Sequence, residues 1–365
     1  METMKQTIER MPLRTWRWLK VNDTEIELAA PQRPFDRVVC ALRPSDAVTV
    51  SREPVLLPEG DDGTGRLAPA VLRSFLESEA NWRCHLRVAD GHTEAEPIVL
   101  EFRLDDDHPA LADDLIVEVG EGARATVVVR YLSPTHGAYR HAGRIRLIAR
   151  QGASLTLVKA QLFGSDTAHA DVIGAVAGQG ASIHVIDAEL GGRNAVTGCN
   201  AVLDGADSRV QVDLLYLGSG SRTLDLTTRA EHRGQRSESA IDVRGVLLDD
   251  SRKVLRDTLD FVRGAAGSRG REEENVLMLS PRVRNLSVPV LLCGEDNVEG
   301  EHAASSGRPD EAALFYLMSR GLSEAHARKL LARAAFAAVV ERIPDLATQE
   351  LILDAVQAAV GGVGA

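Results

Sequence analysis

Aromatic side chains are scarce in this chain: seven Phe, four Tyr and three Trp make up 4% of 365 residues. That disfavours a large mixed core built around rings. Many short Val- and Ala-rich segments suit a narrow, repetitive β core better. Cysteine is also sparse. Cys40, Cys84, Cys199 and Cys293 stand far apart with no CxxC pair, which excludes a local zinc knuckle or cluster-binding loop. In a reducing compartment they are expected to be free thiols packed as small hydrophobes. No apolar run approaches the ~18 residues that cross a bilayer. The opening METMKQTIERMPLRTW lacks an apolar signal core, so a cytoplasmic protein without a membrane partner is expected. Positive charge is in deficit too, 42 basic against 53 acidic residues for a net charge of −11, which argues against a nucleic-acid partner. A GxxxxGK[ST] loop is missing, so any ATP hydrolysis must belong to another chain.

What the chain does have is rhythm. Residues 1–90 form a mixed opening region, cut by Pro31, Pro34, Pro44, Pro54 and Pro58. Within it, Val71, Leu72, Phe75 and Leu76 have helical spacing over Ala68–Trp82. From about residue 95, segments of period-two alternation follow one another, as half-buried strands do. Examples are Ala125–Val129, Ile145–Ile148, Leu155–Val158, Ile183–Ile186 and Val210–Leu214. A Gly-Ala pair precedes several of them: Gly122-Ala123, Gly152-Ala153, Gly180-Ala181, Gly205-Ala206 and the more distant Gly264-Ala265. Glycine supplies the sharp corner, and its small neighbour lets coils stack. A turn–strand unit repeating at this period predicts a β-solenoid over 91–300. An antiparallel sandwich with glycine turns is the alternative.

After Gly307 the pattern turns helical, and 301–365 reads as a C-terminal helical domain able to cover the open end of a solenoid. Pro309, Asp310 and Glu311 favour one helix start, Ser323 the cap of a second and Thr348 the cap of a third.

Several pieces occur in a fixed order: His232 with Ser237 and Ser239, Gly245–Asp249, Asn275–Ser280 (NVLMLS), Ser287–Pro289, Asp296–Val298, His302, and Ala312–Leu322 (AALFYLMSRGL). Together with the opening TWRWLKVN, this ordered set resembles the SufB/SufD family of iron–sulfur cluster assembly scaffolds, SufD more than SufB. The resemblance implies a mainly β fold: a right-handed parallel β-helix core, an N-terminal mixed or helical region and a C-terminal helical domain. It implies no turnover of its own and no stably bound cofactor, at most a transient iron–sulfur cluster shared with a partner. The implied partners are a SufC-type ATPase docked on the C-terminal domain, and a SufB-type scaffold or a second copy of the chain.

For site residues, the resemblance places His302 where the family has an interface histidine that can ligate a cluster; imidazole is a reasonable iron ligand. Many SufD chains carry cysteine two positions earlier, where this chain has Gly300. Glu301 is reminiscent of the acidic flank in SufB, so His302 and Glu301 are the candidate shared iron ligands. Phe315, Tyr316 and Arg320 fall in the segment that resembles the ATPase-docking region. Cys293 reads as a packed strand residue and Cys199 as part of a glycine-rich turn. Asp105-Asp106-Asp107-His108 reads as a solvated turn and Glu272-Glu273-Glu274 as an exposed acidic face. Two other functions fit the same fold: a β-helix carbohydrate-active enzyme, which the shortage of aromatics disfavours, and a homodimeric scaffold that has lost cluster chemistry.

Overall fold

A computed structural model describes residues 3–11, 17–41, 47–55, 63–64 and 69–361. Among these, strands from Trp82 onward alternate between two nine-stranded sheets, each pairing in parallel with the strand one coil earlier and one coil later. The result is a parallel β-helix, not a sandwich. Its register carries the repeat: Ser154 pairs with Arg124 on one side and with Ser182 on the other. Two short antiparallel strands, Val38–Ala41 and Val48–Ser51, close the N-terminal edges.

The corners explain the Gly-Ala pairs. Gly122, Gly152 and Gly180 adopt φ of +63°, +65° and +62°, and Gly264 +104°, a region open to glycine at little cost. Gly205 works differently. A Cβ there would lie 2.0 Å from the backbone nitrogen of Gln179, so it is needed for close approach, and Asp207 takes the positive φ of that turn at +59°.

Alternation sends every second side chain into a narrow lumen. Leu155, Leu157, Ile183, Val185, Val210 and Val212 fill it in the middle coils. The few rings gather near its N-terminal end, where Trp82 packs edge-on to Phe102 and Phe102 stacks on Tyr131 at 5.1 Å.

Both outer faces are covered in the middle. Helix α1 (Ala70–Glu79) and the hairpin of Thr3–Glu9 with Asp23–Ala29 pack Leu72, Phe75, Leu76, Ile26 and Leu28 against Ala142, Ala170 and Val172. The helical spacing predicted for this stretch is thus realised. Arg10 and Arg256 both bind Asp225, at 3.1 and 2.7 Å, fastening the opening segment to the sheet.

On the other face lie α2 (Glu311–Ser319), α3 (Glu324–Val340) and α4 (Leu346–Gly361). Phe336, Val339, Ile352 and Val356 pack on the outward-facing Val158, Ile186, Leu215 and Val246. Arg130 donates to Thr348 at 2.8 Å and pairs with Asp345, pinning the start of α4. Ser323 caps α3 as expected, whereas α4 starts before Thr348, with Asp345 accepting from the Thr348 backbone. These helices therefore lie along a sheet face and do not cover the end of the solenoid, because their apolar surface matches the outward Val, Ile and Leu columns. The last strand runs to Gly307, so the boundary drawn at 300 falls inside it.

Candidate functional site at the open end of the solenoid

The final coil consists of Arg284–Cys293 and Val298–Gly307. Each stands last in its sheet, with one edge that no described residue pairs, and most of their residues are exposed or half-buried. Two long parallel edges with free backbone donors and acceptors are the kind of surface another chain adds to.

His302 lies in this last coil, directly beside Glu272 of the preceding one. Its Nδ1 contacts the Glu272 carboxylate. The other ring nitrogen, Nε2, is buried and has no side-chain partner. Burial holds His302 below the usual histidine range, opposed by the nearby Asp257 and by the Val290 backbone. An imidazole backed by a carboxylate on one nitrogen is the usual support of a metal ligand on the other.

Glu301 is not part of this arrangement. Adjacent strand residues point to opposite faces, and Glu301 lines an outer-surface groove with Arg269, Arg271 and Glu299. The pair expected from the sequence is thus separated, and Glu272 is the carboxylate beside His302.

Behind Glu272 the lumen is polar. Glu272 hydrogen-bonds Asp257, and Thr228 donates to Asp257. Burial together with Glu272 pushes the Asp257 carboxyl well above its usual range, so the two acids share a proton. Alongside, Glu274 accepts from Tyr216 at 3.0 Å and from Lys253 and Ser287. Glu272 and Glu274 are 4% and 2% exposed, which overturns the reading of Glu272-Glu273-Glu274 as a solvated face; only Glu273 points out. The signal was there. Counting back by twos from the inward Val276 puts 274 and 272 in the lumen.

Gly300 also faces inward, on the same side of the strand as His302. A Cβ on it would sit 2.8 Å from Leu291 Cδ1 and 3.2 Å from Phe261. Leu291 must turn aside before any larger residue fits. His232, Ser237 and Ser239 come together as a buried knot: the ring contacts both hydroxyls at 2.8 Å and stacks on Phe261. Burial lowers this imidazole to about 4, so it is neutral and structural.

Cysteine placement reverses two expectations. Cys199 is buried inside the strand Asn194–Leu203, its thiol pushed up by burial and by Asp187, while Cys293 is exposed at a strand end. The Asp105–His108 turn is held by local bonds, His108 Nδ1 to Asp105 at 3.1 Å, with His108 itself buried.

No residue of α2 is buried. Phe315 and Tyr316 are 74% and 56% exposed, and the Arg320 guanidinium sits 5.2 Å from the Tyr316 ring centre. Beside them is a cleft of about 430 Å³ lined by Leu279, Pro281, Leu314, Phe315, Met318 and Arg328. A helix that turns both neighbouring rings outward has kept little of its apolar surface for its own fold.

Fold and site together define a non-membrane-helical β-helix scaffold with an open, histidine-bearing end: among the described residues no helix is long and apolar enough to cross a membrane. Residues 102–335 match the family described as SUF system FeS cluster assembly, SufBD core domain. The chain belongs to the SufB/SufD family. It is 37% identical over 130 residues to the iron–sulfur cluster assembly protein SufD of Bacillus subtilis, covering 36% of this chain and 30% of that one. With SufD of Escherichia coli it shares 23% over 291 residues, 78% of this chain and 68% of that one. A SufBD family protein of Mycobacterium leprae is 26% identical over 309 residues, 82% of this chain and 76% of its own length. Family membership supports a scaffold role in iron–sulfur cluster assembly.

Proposed function

We propose that this chain is a non-catalytic, cytoplasmic subunit of a SufBCD-type complex. It pairs through its last coil with a SufB-type scaffold and docks a SufC-type ATPase through α2. His302 would then contribute Nε2 to an iron–sulfur cluster assembled between the two scaffolds, the cluster being cargo that later leaves. The observation that carries this reading is His302, backed by Glu272 and 22% exposed, on a last coil whose outer edges no described residue pairs. Donor chemistry agrees: one imidazole is too few ligands to hold a cluster alone, so the remaining ligands must come from across the edge. Glu301, on the opposite face, is free for partner contacts instead. The exposed Phe315 and Tyr316, with Arg320, suit a hydrophobic docking surface with a charged rim.

The test is co-expression with SufB and SufC. His302→Ala should leave the complex assembled and lower its cluster yield; an unchanged yield overturns the ligand role. Truncation after Gly307 should abolish capture of the ATPase, and retained capture overturns the docking assignment.

A further inference from the structure

We propose that His169, Asp171 and Glu189 form a second metal site, binding a first-row divalent cation deep within the lumen and away from the open end. His169 and Asp171 project inward from the strand Ala168–Ala177, and Glu189 from Ser182–Glu189 in the opposite sheet. All three are at most 3% exposed. Their ligand atoms lie within 4.8 Å of one another.

The details favour a cation between them. His169 Nε2 is 3.5 Å from Asp171 Oδ1 and 3.5 Å from Glu189 Oε2. For ligands held at about 2.0–2.2 Å from a metal, the edge of a tetrahedron is about 3.3–3.6 Å, so these separations fit one ion. Nε2 makes no hydrogen bond, although it is fully buried. On the far side of the ring, Nδ1 meets Nδ1 of His141 at 2.6 Å, and His141 Nε2 meets Asp113 Oδ1 at 2.6 Å. The string lets His141 donate from Nε2 to Asp113 and His169 from Nδ1 to His141, which leaves His169 Nε2 to carry a proton or a metal ion. Facing two carboxylate oxygens, that position calls for one or the other. A carboxylate–histidine string behind a ligating imidazole is the usual support of a metal.

Lys159 does not fill the triangle. Its ammonium takes the other carboxylate oxygens, Oδ2 of Asp171 and Oε1 of Glu189, the latter at 2.7 Å, and Asp187 at 3.2 Å. One nitrogen and two oxygens, sealed from water, suit Zn²⁺, Fe²⁺ or Mn²⁺ better than Ca²⁺ or Mg²⁺. A proton on Nε2, making an imidazolium paired to both acids, is the competing occupant; on metal binding it is released to solvent.

Because the site is sealed, the ion must enter as the chain folds. The experiment is to express the full-length chain in Zn²⁺-supplemented medium, strip surface metal with chelator and measure zinc by elemental analysis. About one equivalent should remain in the natural protein and in His302→Ala, which removes the histidine of the open end. His169→Gln and Glu189→Gln, each verified as folded by circular dichroism and melting, should retain roughly ten-fold less or lower still. Natural protein without zinc means the proton is the occupant and overturns the proposal. Equal zinc in folded His169→Gln overturns it as well.

Discussion

Two places in the lumen use nearly the same parts. At the centre, His169 presents a free Nε2 to Asp171 and Glu189, with Nδ1 held by His141. In the last coil, His302 also faces the lumen, with Nδ1 held by Glu272, Asp257 behind it and Nε2 buried. Both arise from the same rule, inward alternation of strand residues stacked coil upon coil. They differ in access: the His169 side chain is fully buried, while that of His302 is 22% exposed. A sealed site can only retain what it took up on folding, whereas an edge site can exchange. On the proposed roles, the position of a coil in the stack, more than its ligand chemistry, separates a site that would store from one that would transfer.

The strongest way to break this comparison is to remove the buried cations. Lys159 faces three carboxylates, and Lys159→Met would leave them with fewer counter-charges in a fully buried site. A loss of about 3–5 kcal/mol is expected, the usual cost of orphaning one partner of a buried pair, read from chemical denaturation. Lys253→Met, nearer the end, should cost less, because Glu274 keeps the hydroxyls of Tyr216 and Ser287. Equal losses would mean the two networks do not differ in how completely they are sealed.

How much of this was legible in the sequence follows the same division. The coils could be read, because the Gly-Ala corners and the period-two runs are local signals. The N-cap at Ser323 is local as well. His302 was found through ordered motifs. The central cluster was not, because Lys159, His169 and Glu189 meet across two sheets, and only the coil register brings them together. Glu301 came from the resemblance to the acidic flank in SufB, and strand alternation turns it to the face opposite His302. Cys199 was misread because its glycine neighbour suggested a turn, yet Gly198 lies within a paired strand.

A neutral histidine sharpens the contrast with the charged clusters. His232 is buried against Ser237 and Ser239, and its folded value near 4 lies below the ordinary 6.5. Above pH 6.5 it is uncharged in both states and costs nothing. As pH falls from 6.5 towards 4, the unfolded chain takes up a proton that the folded chain refuses, so stability is lost. The full loss is on the order of 3 kcal/mol. Melting the natural protein and His232→Asn across that range should show a flatter profile in the variant; identical slopes would remove His232 as the cause.

Gly300→Cys should have a smaller effect on the fold. The new side chain meets only the tip of Leu291 and the edge of Phe261, so a cost of about 1–2 kcal/mol is expected. The gain is a thiol on the lumen face beside His302, and thiolate is the softer ligand for iron. In the assembled complex this variant should hold its cluster longer against chelator than the natural protein. A shorter-lived cluster would show that the glycine is required by the site and not merely tolerated.

The smallest change in stability is expected where the surface has least to do with the fold. Phe315 is 74% exposed on a helix with no buried residue, so Phe315→Ala should shift stability by no more than about 0.5 kcal/mol. Its effect on ATPase capture should be disproportionate, because an exposed ring beside a cleft is the kind of anchor that dominates an interface, at about 2 kcal/mol or more. Binding and melting measured on the same preparation separate the two. If capture and stability fall together, α2 belongs to the fold, and the division between a self-sufficient central solenoid and a partner-dependent end does not extend to the helical domain. If capture falls alone, that division runs through the chain from the last coil into α2, while α3 and α4 stay with the solenoid they pack on.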